Sequence, residues 1–351
     1  MRKILKIVIF CLILVVIILI AVFCYFFVGK VVIAKNITWG VDFSQMQTET
    51  LGLNWKEAYL AIINDLGVKN IKIHTQWDWI EGNPPSQNAS DGQEKHNYYF
   101  NDIDWQLQQA EKNGVKIIYV VGMKSGRWPE CHIPTWASSL LEQQQKDEVL
   151  EYIKEVILRY KDNSAIINWQ IENEPLFKFG ECPAWYYDGG EFLKKEVQLV
   201  KSLDPSRSII ISDSGEQSGW FAAAKIADVV GITMYREVWA HIVDGWGFYF
   251  KSFLSPVTYR RKALLIKKIF NKDVMCIELQ TEPWAEKPFY DVPLKEQART
   301  MNLEIFKRNI EYAKKTGLDK FYLWGVEWWY WMKTTQNSPE IWQEAQKLFV
   351  N

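Results

Sequence analysis

Histidine is scarce in this chain: there are four in 351 residues, and no cluster of residues resembles a metal-ligand set. No glycine-rich phosphate loop follows the first predicted strand. Neither a metal nor an organic cofactor is therefore expected. An excess of either charge is missing too. The 41 basic and 42 acidic residues give a formal −1, which leaves no electrostatic footprint for nucleic acid. The few cysteines are not spaced as a zinc site. No internal repeat or linker divides the chain.

Aromatic residues are abundant, with 18 Trp, 16 Tyr and 18 Phe. Part of this set builds a core. Many of the tryptophans, however, fall just after predicted strands, where flat apolar faces with polar edges suit stacking against sugar rings. One long apolar run is present at residues 7–28, flanked by Arg2, Lys3 and Lys6 before it and Lys30 after it. That length spans a bilayer. A cleaved signal peptide is the alternative, but Cys24-Tyr25-Phe26-Phe27 offers no small-x-small cleavage site. The basic residues lie on the N-terminal side, so residues 1–30 read as a signal anchor, with residues 31–351 on the extracytoplasmic side of the cell membrane. Bulky residues precede Cys11 and Cys24, which favours membrane burial over a lipoprotein site. Cys276 reads as a small core residue. Cys131 and Cys182 lie in loops after consecutive strands, where an oxidising compartment would let them pair; two free thiols are the alternative.

From residue 36 onward, β-rich runs alternate with helical patterns. Strands are predicted at 38–43, 71–75, 116–121, 208–212, 229–235 and 320–324. Two more end at Asn173-Glu174 and at Glu278. Helices are predicted from Asn54, from Asp102 to Gly114, over 141–160, 191–203, near 221–226, over 294–316 and over 341–349. A loop covers 82–96, and 249–270 fits either a helix or an extended lid. Eight strand–helix units predict a closed (β/α)8 TIM barrel preceded by one transmembrane helix, with an open doubly wound sheet as the alternative.

Two strings then stand out. The run Ala165 to Ile171 closes on Glu172-Asn173-Glu174-Pro175, and Val274 to Ile277 closes on Glu278. Carboxylates at the ends of buried strands are costly to desolvate, so each needs a partner or a task. In a barrel both ends open on one mouth. At this point the chain resembles the clan of barrel glycoside hydrolases that carry an acid/base on strand four and a nucleophile on strand seven. It is most similar to cellulase-like members of glycoside hydrolase family 5 and their relatives. The likeness covers the exported domain in architecture and short motifs in sequence.

The resemblance implies a retaining hydrolysis of a β-linked poly- or oligosaccharide by a monomeric enzyme. Glu278 is implied as nucleophile and Glu174 as acid/base, with carboxyls about 5–5.5 Å apart. Asn173 is implied to donate to the sugar 2-hydroxyl, Tyr235 to orient the nucleophile and Trp324 to floor the sugar subsite. His132 resembles a substrate-contacting histidine, with a loop hydrogen bond as its alternative. The family carries Arg on strand two where this chain has Lys72, with His74 two residues on; Lys keeps the charge but loses the bidentate fork. That departure leaves a catalytically inactive carbohydrate-binding barrel as the second reading.

Glu282, four residues past Glu278, is the competing nucleophile if strand seven runs longer. Glu172 reads as structurally paired. Glu81, Glu130, Glu216 and Glu327 lie in loops at the same face. Trp77, Trp79, Trp128, Trp185, Trp284, Trp328 and Trp329 are candidate sugar platforms.

Overall fold

The structure, a computed structural model, describes residues 2–82, 86–87, 94–243 and 246–349. Its barrel strands are β1 (Thr38–Phe43), β2 (Asn70–His74), β3 (Lys116–Val121), β4 (Ile166–Ile171), β5 (Ser208–Asp213), β6 (Val229–Met234), β7 (Asp273–Gln280) and β8 (Lys320–Trp324). They form a closed barrel in chain order, with β1 parallel to both β2 and β8. The expected (β/α)8 architecture is present. Strands such as Lys-Ile-Ile-Tyr-Val-Val carry apolar residues at consecutive positions because both faces of a parallel sheet are covered.

One helix of the outer layer follows each strand: Trp55–Asn64, Asn101–Lys112, Glu142–Tyr160, Glu191–Leu203, Phe221–Ile226, Pro256–Phe270, Leu303–Lys314 and Glu340–Phe349. Asn54 caps the first of these, its side chain accepting from the Lys56 and Glu57 amides. Inside the barrel Ile118, Ile210, Met275, Ile277 and Tyr322 pack together. Gly40 makes room for the tyrosine, since a Cβ there would lie 2.7 Å from the Tyr322 ring. Each buried isoleucine contributes roughly 1.5–3 kcal/mol.

Several boundaries differ from the sequence reading. β4 stops at Ile171, two residues before Asn173, and β7 runs two residues past Glu278 to Gln280. The ambiguous 249–270 segment contains the end of a hairpin, Glu237–Val243 paired with Trp246–Lys251, followed by the helix Pro256–Phe270 with proline in its first turn. The predicted 294–316 helix is broken into Leu294–Gln297 and Leu303–Lys314. Asn302 caps the second piece by accepting from the Ile305 amide. The loop expected at 82–96 lies largely outside the described residues; within it Ser86–Gln87 pairs with Glu94–Lys95.

The N-terminal helix is Arg2–Phe27, and Lys3–Phe27 is long and apolar enough to cross a membrane. Cys131 and Cys182 form a disulfide that ties the loops after β3 and β4 together. Cys276 is buried in β7.

Candidate active site

The most informative local feature is a bulge in β7. Against β6, Cys276 pairs with Ile232 and Glu278 with Thr233, so Ile277 is the extra residue. Met275 and Ile277 belong to the barrel interior, whereas Cys276 and Leu279 pack in the outer core. Strict alternation would send Glu278 outward with Cys276. The bulge turns both Ile277 and Glu278 inward, which is a recurrent use of bulges beside functional sites.

There Glu278 is 2% exposed and fully occupied. Oε1 accepts from Lys72 Nζ at 2.7 Å, and Oε2 accepts from the Tyr235 hydroxyl at 2.8 Å. Lys72 Nζ also lies 2.7 Å from Asp42 Oδ2, while the other Asp42 oxygen is 2.6 Å from His74 Nε2. His74 Nδ1 meets Ser125 Oγ at 2.9 Å. Burial works against charge on Lys72, but Asp42 and Glu278 outweigh it and raise the ammonium pKa. Burial likewise opposes the Asp42 carboxylate, and His74 and Lys72 hold its pKa below the ordinary range. Burial lowers that of His74. Tyr235 is held well above its ordinary value by burial and by Glu278, so its hydroxyl remains a donor.

Lys72 therefore stands between two buried carboxylates. Lys72→Met would leave both without their cation, and a cost of about 3–5 kcal/mol is expected in a urea unfolding midpoint measurement. Unchanged stability would contradict the ion-pair geometry.

Glu174 follows β4 through two left-handed residues, Glu172 (φ 61°) and Glu174 itself (φ 41°). This backbone is uncommon for residues other than glycine and clusters at functional sites. Its amide donates to Ser212 Oγ (2.6 Å), and its Oε1 accepts from Thr233 Oγ1 (2.8 Å). Thr233 is also the register partner of Glu278, so one residue of β6 links the two acids. Burial and then the Glu278 charge push Glu174 up to about 8.

Glu172 is structural, as read. It accepts from the Met123 amide at 2.7 Å and from Tyr186 at 3.0 Å, in space that Gly122 leaves open. Glu130 is a third buried acid at this site, pushed up to about 8 chiefly by burial. Asn173 Nδ2 reaches its Oε2 at 3.4 Å. Lys124, buried beside them, donates to the Glu174 and Phe177 carbonyls; burial lowers its pKa.

Glu282 lies in a separate cluster. It accepts from Trp324 Nε1 at 2.7 Å and from Arg127, whose other terminal nitrogen is 3.1 Å from Glu327. The Arg127 guanidinium stacks 4.0 Å from the centre of the Trp324 ring. Burial raises Glu282 and pushes Glu327 up to about 8. Trp324, 6% exposed, is thus walled on one side by Arg127.

The aromatic candidates divide. Trp284 is half-buried, 4.9 Å from Tyr235 and 6.3 Å from Phe179, which in turn is 6.2 Å from the exposed Trp128. These three rings form a line leading from Tyr235. Trp77 and Trp328 are not platforms, contrary to the sequence reading. Trp77 is fully buried, stacked on Tyr152 and bonded to Glu81; Trp328 is buried and donates to Gln297. Both face the helix layer. Trp329 is core as well, and Trp185 packs on Phe192 while donating to Gln145. His132 makes the loop hydrogen bond of its alternative reading, to the Arg127 carbonyl at 3.3 Å, and is 1% exposed. Glu81 is buried against Trp77 and His96, and Glu216 accepts from the Tyr235 amide.

Asp42, Ser125, Lys124 and Arg127 were missed. Asp42 had a sequence signal, an acid within the strand Thr-Trp-Gly-Val-Asp-Phe; the three loop residues had none.

A family model described as the TIM-barrel domain of family 2 glycosyl hydrolases matches residues 97–253. Mannan endo-1,4-beta-mannosidase F of Aspergillus clavatus is 27% identical over 119 residues, 32% of this chain and 26% of that protein. Probable mannan endo-1,4-beta-mannosidase A-1 of Aspergillus terreus is 27% identical over 173 residues, covering 46% and 42%. The chain thus spans about a quarter to two fifths of the length of the curated relatives it matches. Among solved structures, a family 10 endo-beta-1,4-xylanase from Gloeophyllum trabeum superposes with TM-score 0.56 at 14% identity, covering 90% of this chain and 98% of that one. Xylanase 10B from Thermotoga maritima gives 0.54 at 15%, covering 89% and 95%. These likenesses concern the fold. The family 2 barrel match and the mannanase likenesses agree with the barrel glycoside hydrolase clan that the sequence motifs suggest.

Proposed function

We propose that this chain is a member of the clan of (β/α)8-barrel retaining glycoside hydrolases and cleaves a β-linked glycan through a covalent glycosyl-enzyme, a reading that the family 2 barrel match and the mannanase likenesses support. The observation that carries this reading is the linked pair Glu174–Thr233–Glu278, with one carboxyl kept neutral and the other held between Lys72 and Tyr235. Environments that differ in this way divide acid from nucleophile.

Glu278 attacks the anomeric carbon as the departing glycosidic oxygen takes the proton of Glu174. The Glu174 carboxylate then accepts a proton from water, whose oxygen attacks the same carbon and releases Glu278. Lys72 and Tyr235 orient the nucleophile and share its charge when the sugar leaves. Trp324 and the Trp284–Phe179–Trp128 line offer stacking faces, and Asn173 faces the sugar beside Glu174. The relatives' names make β-1,4-mannan the first polysaccharide to try.

Lys72 occupies the place of the family's arginine and meets Glu278 directly. This contact weighs against an inactive binding barrel. Residues 1–30 are read as a membrane anchor and 31–351 as the extracytoplasmic catalytic domain, on the strength of the apolar helix and its preceding basic residues. Incubation with a panel of aryl β-glycosides and β-linked polysaccharides tests the activity. Turnover of at least one is expected; hydrolysis of none, or of α-linked substrates alone, contradicts it.

A further inference from the structure

The hairpin after β6 carries large apolar side chains that the barrel leaves uncovered. Trp246 is 74% exposed, Phe248 46% and Phe250 36%; Phe253, just beyond, is 75% exposed. Cross-strand partners share a face, so Phe248 and Phe250 stand with Ala240 and Val238. On the opposite face Trp239 packs against Tyr249, and Tyr249 packs under Arg299 and bonds Glu296. One face of the ribbon is thus fixed to the protein and the other is free. A contiguous exposed aromatic patch marks an interaction surface.

What covers it is indicated by its neighbour. Phe253 stacks on Phe27, the last residue of the N-terminal helix, at 6.3 Å. Thr258 Oγ1 donates to the Phe26 carbonyl at 3.0 Å, and the Arg261 guanidinium lies 4.9 Å from the Tyr25 ring centre. The apolar helix therefore ends beside the patch. From there the chain descends along Pro256–Phe270: the Ala34 amide reaches the Lys314 carbonyl at 3.0 Å and Thr38 begins β1. Hence the helix leaves the barrel at the end where β6 gives way to the hairpin, which is the end that carries Glu174 and Glu278.

We infer that the outer face of the hairpin, with Trp246, Phe248 and Phe250, and the adjacent Phe253 form a second membrane contact, seated in the lipid headgroup region beside the N-terminal helix. This inference rests on the anchoring reading above. The Trp246 indole, apolar with one N–H, favours that layer, and the phenylalanines beside it suit the boundary with the acyl chains. Two contacts at the mouth end hold the catalytic face close to the bilayer, so that its glycan is taken at the membrane surface.

The N-terminal helix contains no tryptophan, so tryptophan quenching by lipid reports the barrel alone. The test uses the full chain in phosphatidylcholine–phosphatidylglycerol vesicles, with phosphatidylcholine brominated at the upper acyl carbons or left unbrominated. Bromination is expected to remove about one tryptophan's share of the emission of the 18. Trp246→Phe is expected to abolish this quenching, and Phe248→Ser with Phe250→Ser to reduce it, with the unfolding midpoint of each variant unchanged. Chain retained after an alkaline carbonate wash but not quenched overturns the docking alone. Quenching that survives Trp246→Phe also overturns it, as does cross-linking of hairpins between two copies in place of quenching. Chain removed by the wash overturns the anchoring reading together with the docking.

Discussion

Glu278→Ala is expected to reduce turnover of an aryl β-glycoside by roughly 10⁴-fold or more, the scale seen when a covalent nucleophile is removed. The fold should survive, because Lys72 keeps Asp42 as its ion-pair partner at 2.7 Å. Glycan binding should also persist, since the stacking rings are untouched. The cavity left by the carboxylate admits a small anion. Added azide or formate is expected to restore turnover of a substrate with a good leaving group, and to give an α-configured product, because a single displacement inverts the centre. Glu282→Ala provides the contrast. It removes the partner of Arg127 and Trp324, so activity falls through distortion of the subsite and no anion rescues it. Rescue at Glu282 with none at Glu278 would exchange the two roles.

Glu174→Ala is expected to depend on the leaving group. For unactivated glycosides, whose departing oxygen needs a proton, kcat/KM should fall by about 10²–10⁴-fold. For a dinitrophenyl glycoside the first step needs no acid, and the loss should move to hydrolysis of the glycosyl-enzyme, so that an intermediate accumulates and KM drops. The pH profile carries a further signature. The folded pKa of Glu174, about 8, lies above the ordinary carboxyl value of 4.5. The acid is therefore protonated and competent at neutral pH, and kcat/KM falls as pH rises through about 8. The same shift means that the stability associated with this proton is fully present below about 4.5 and is lost as pH rises through about 8. Glu174→Ala is expected to abolish the alkaline limb of kcat/KM. Persistence of that limb, measured in the residual activity on an unactivated aryl glycoside, would assign it to another group such as Glu130, whose carboxyl is pushed to a similar value.

The barrel was legible because alternating β-rich and helical runs have few other solutions once a parallel sheet must bury both faces. Glu174 was legible as an acid just beyond a buried strand. Glu278 was found for an incomplete reason. It does not end β7, and periodicity alone would have turned it away from the site; the inward aim depends on a bulge that the sequence pattern does not encode. Trp77 and Trp328 show the opposite error. Their positions after strands matched a binding face, but whether an indole stacks on sugar or on a helix depends on the path of the loop, and here both rings turn into the outer layer. Lys124, Ser125 and Arg127 occupy a loop whose left-handed residues and disulfide set its shape, and no spacing rule predicts such a turn. The hairpin escaped for a similar reason: its aromatics lack the clear apolar–polar alternation of a half-buried strand, because one apolar face packs on the barrel and the other is exposed.

The retaining mechanism turns on Glu278 forming a bond to sugar. An activated 2-deoxy-2-fluoro β-glycoside slows both steps but the second more, so the glycosyl-enzyme persists long enough for proteolysis and mass spectrometry. The expected result is one added fluoroglycosyl mass, on the peptide containing Glu278 and on that residue itself. A label on Glu282, or complete hydrolysis with inverted configuration and no adduct, would contradict a retaining mechanism with Glu278 as nucleophile.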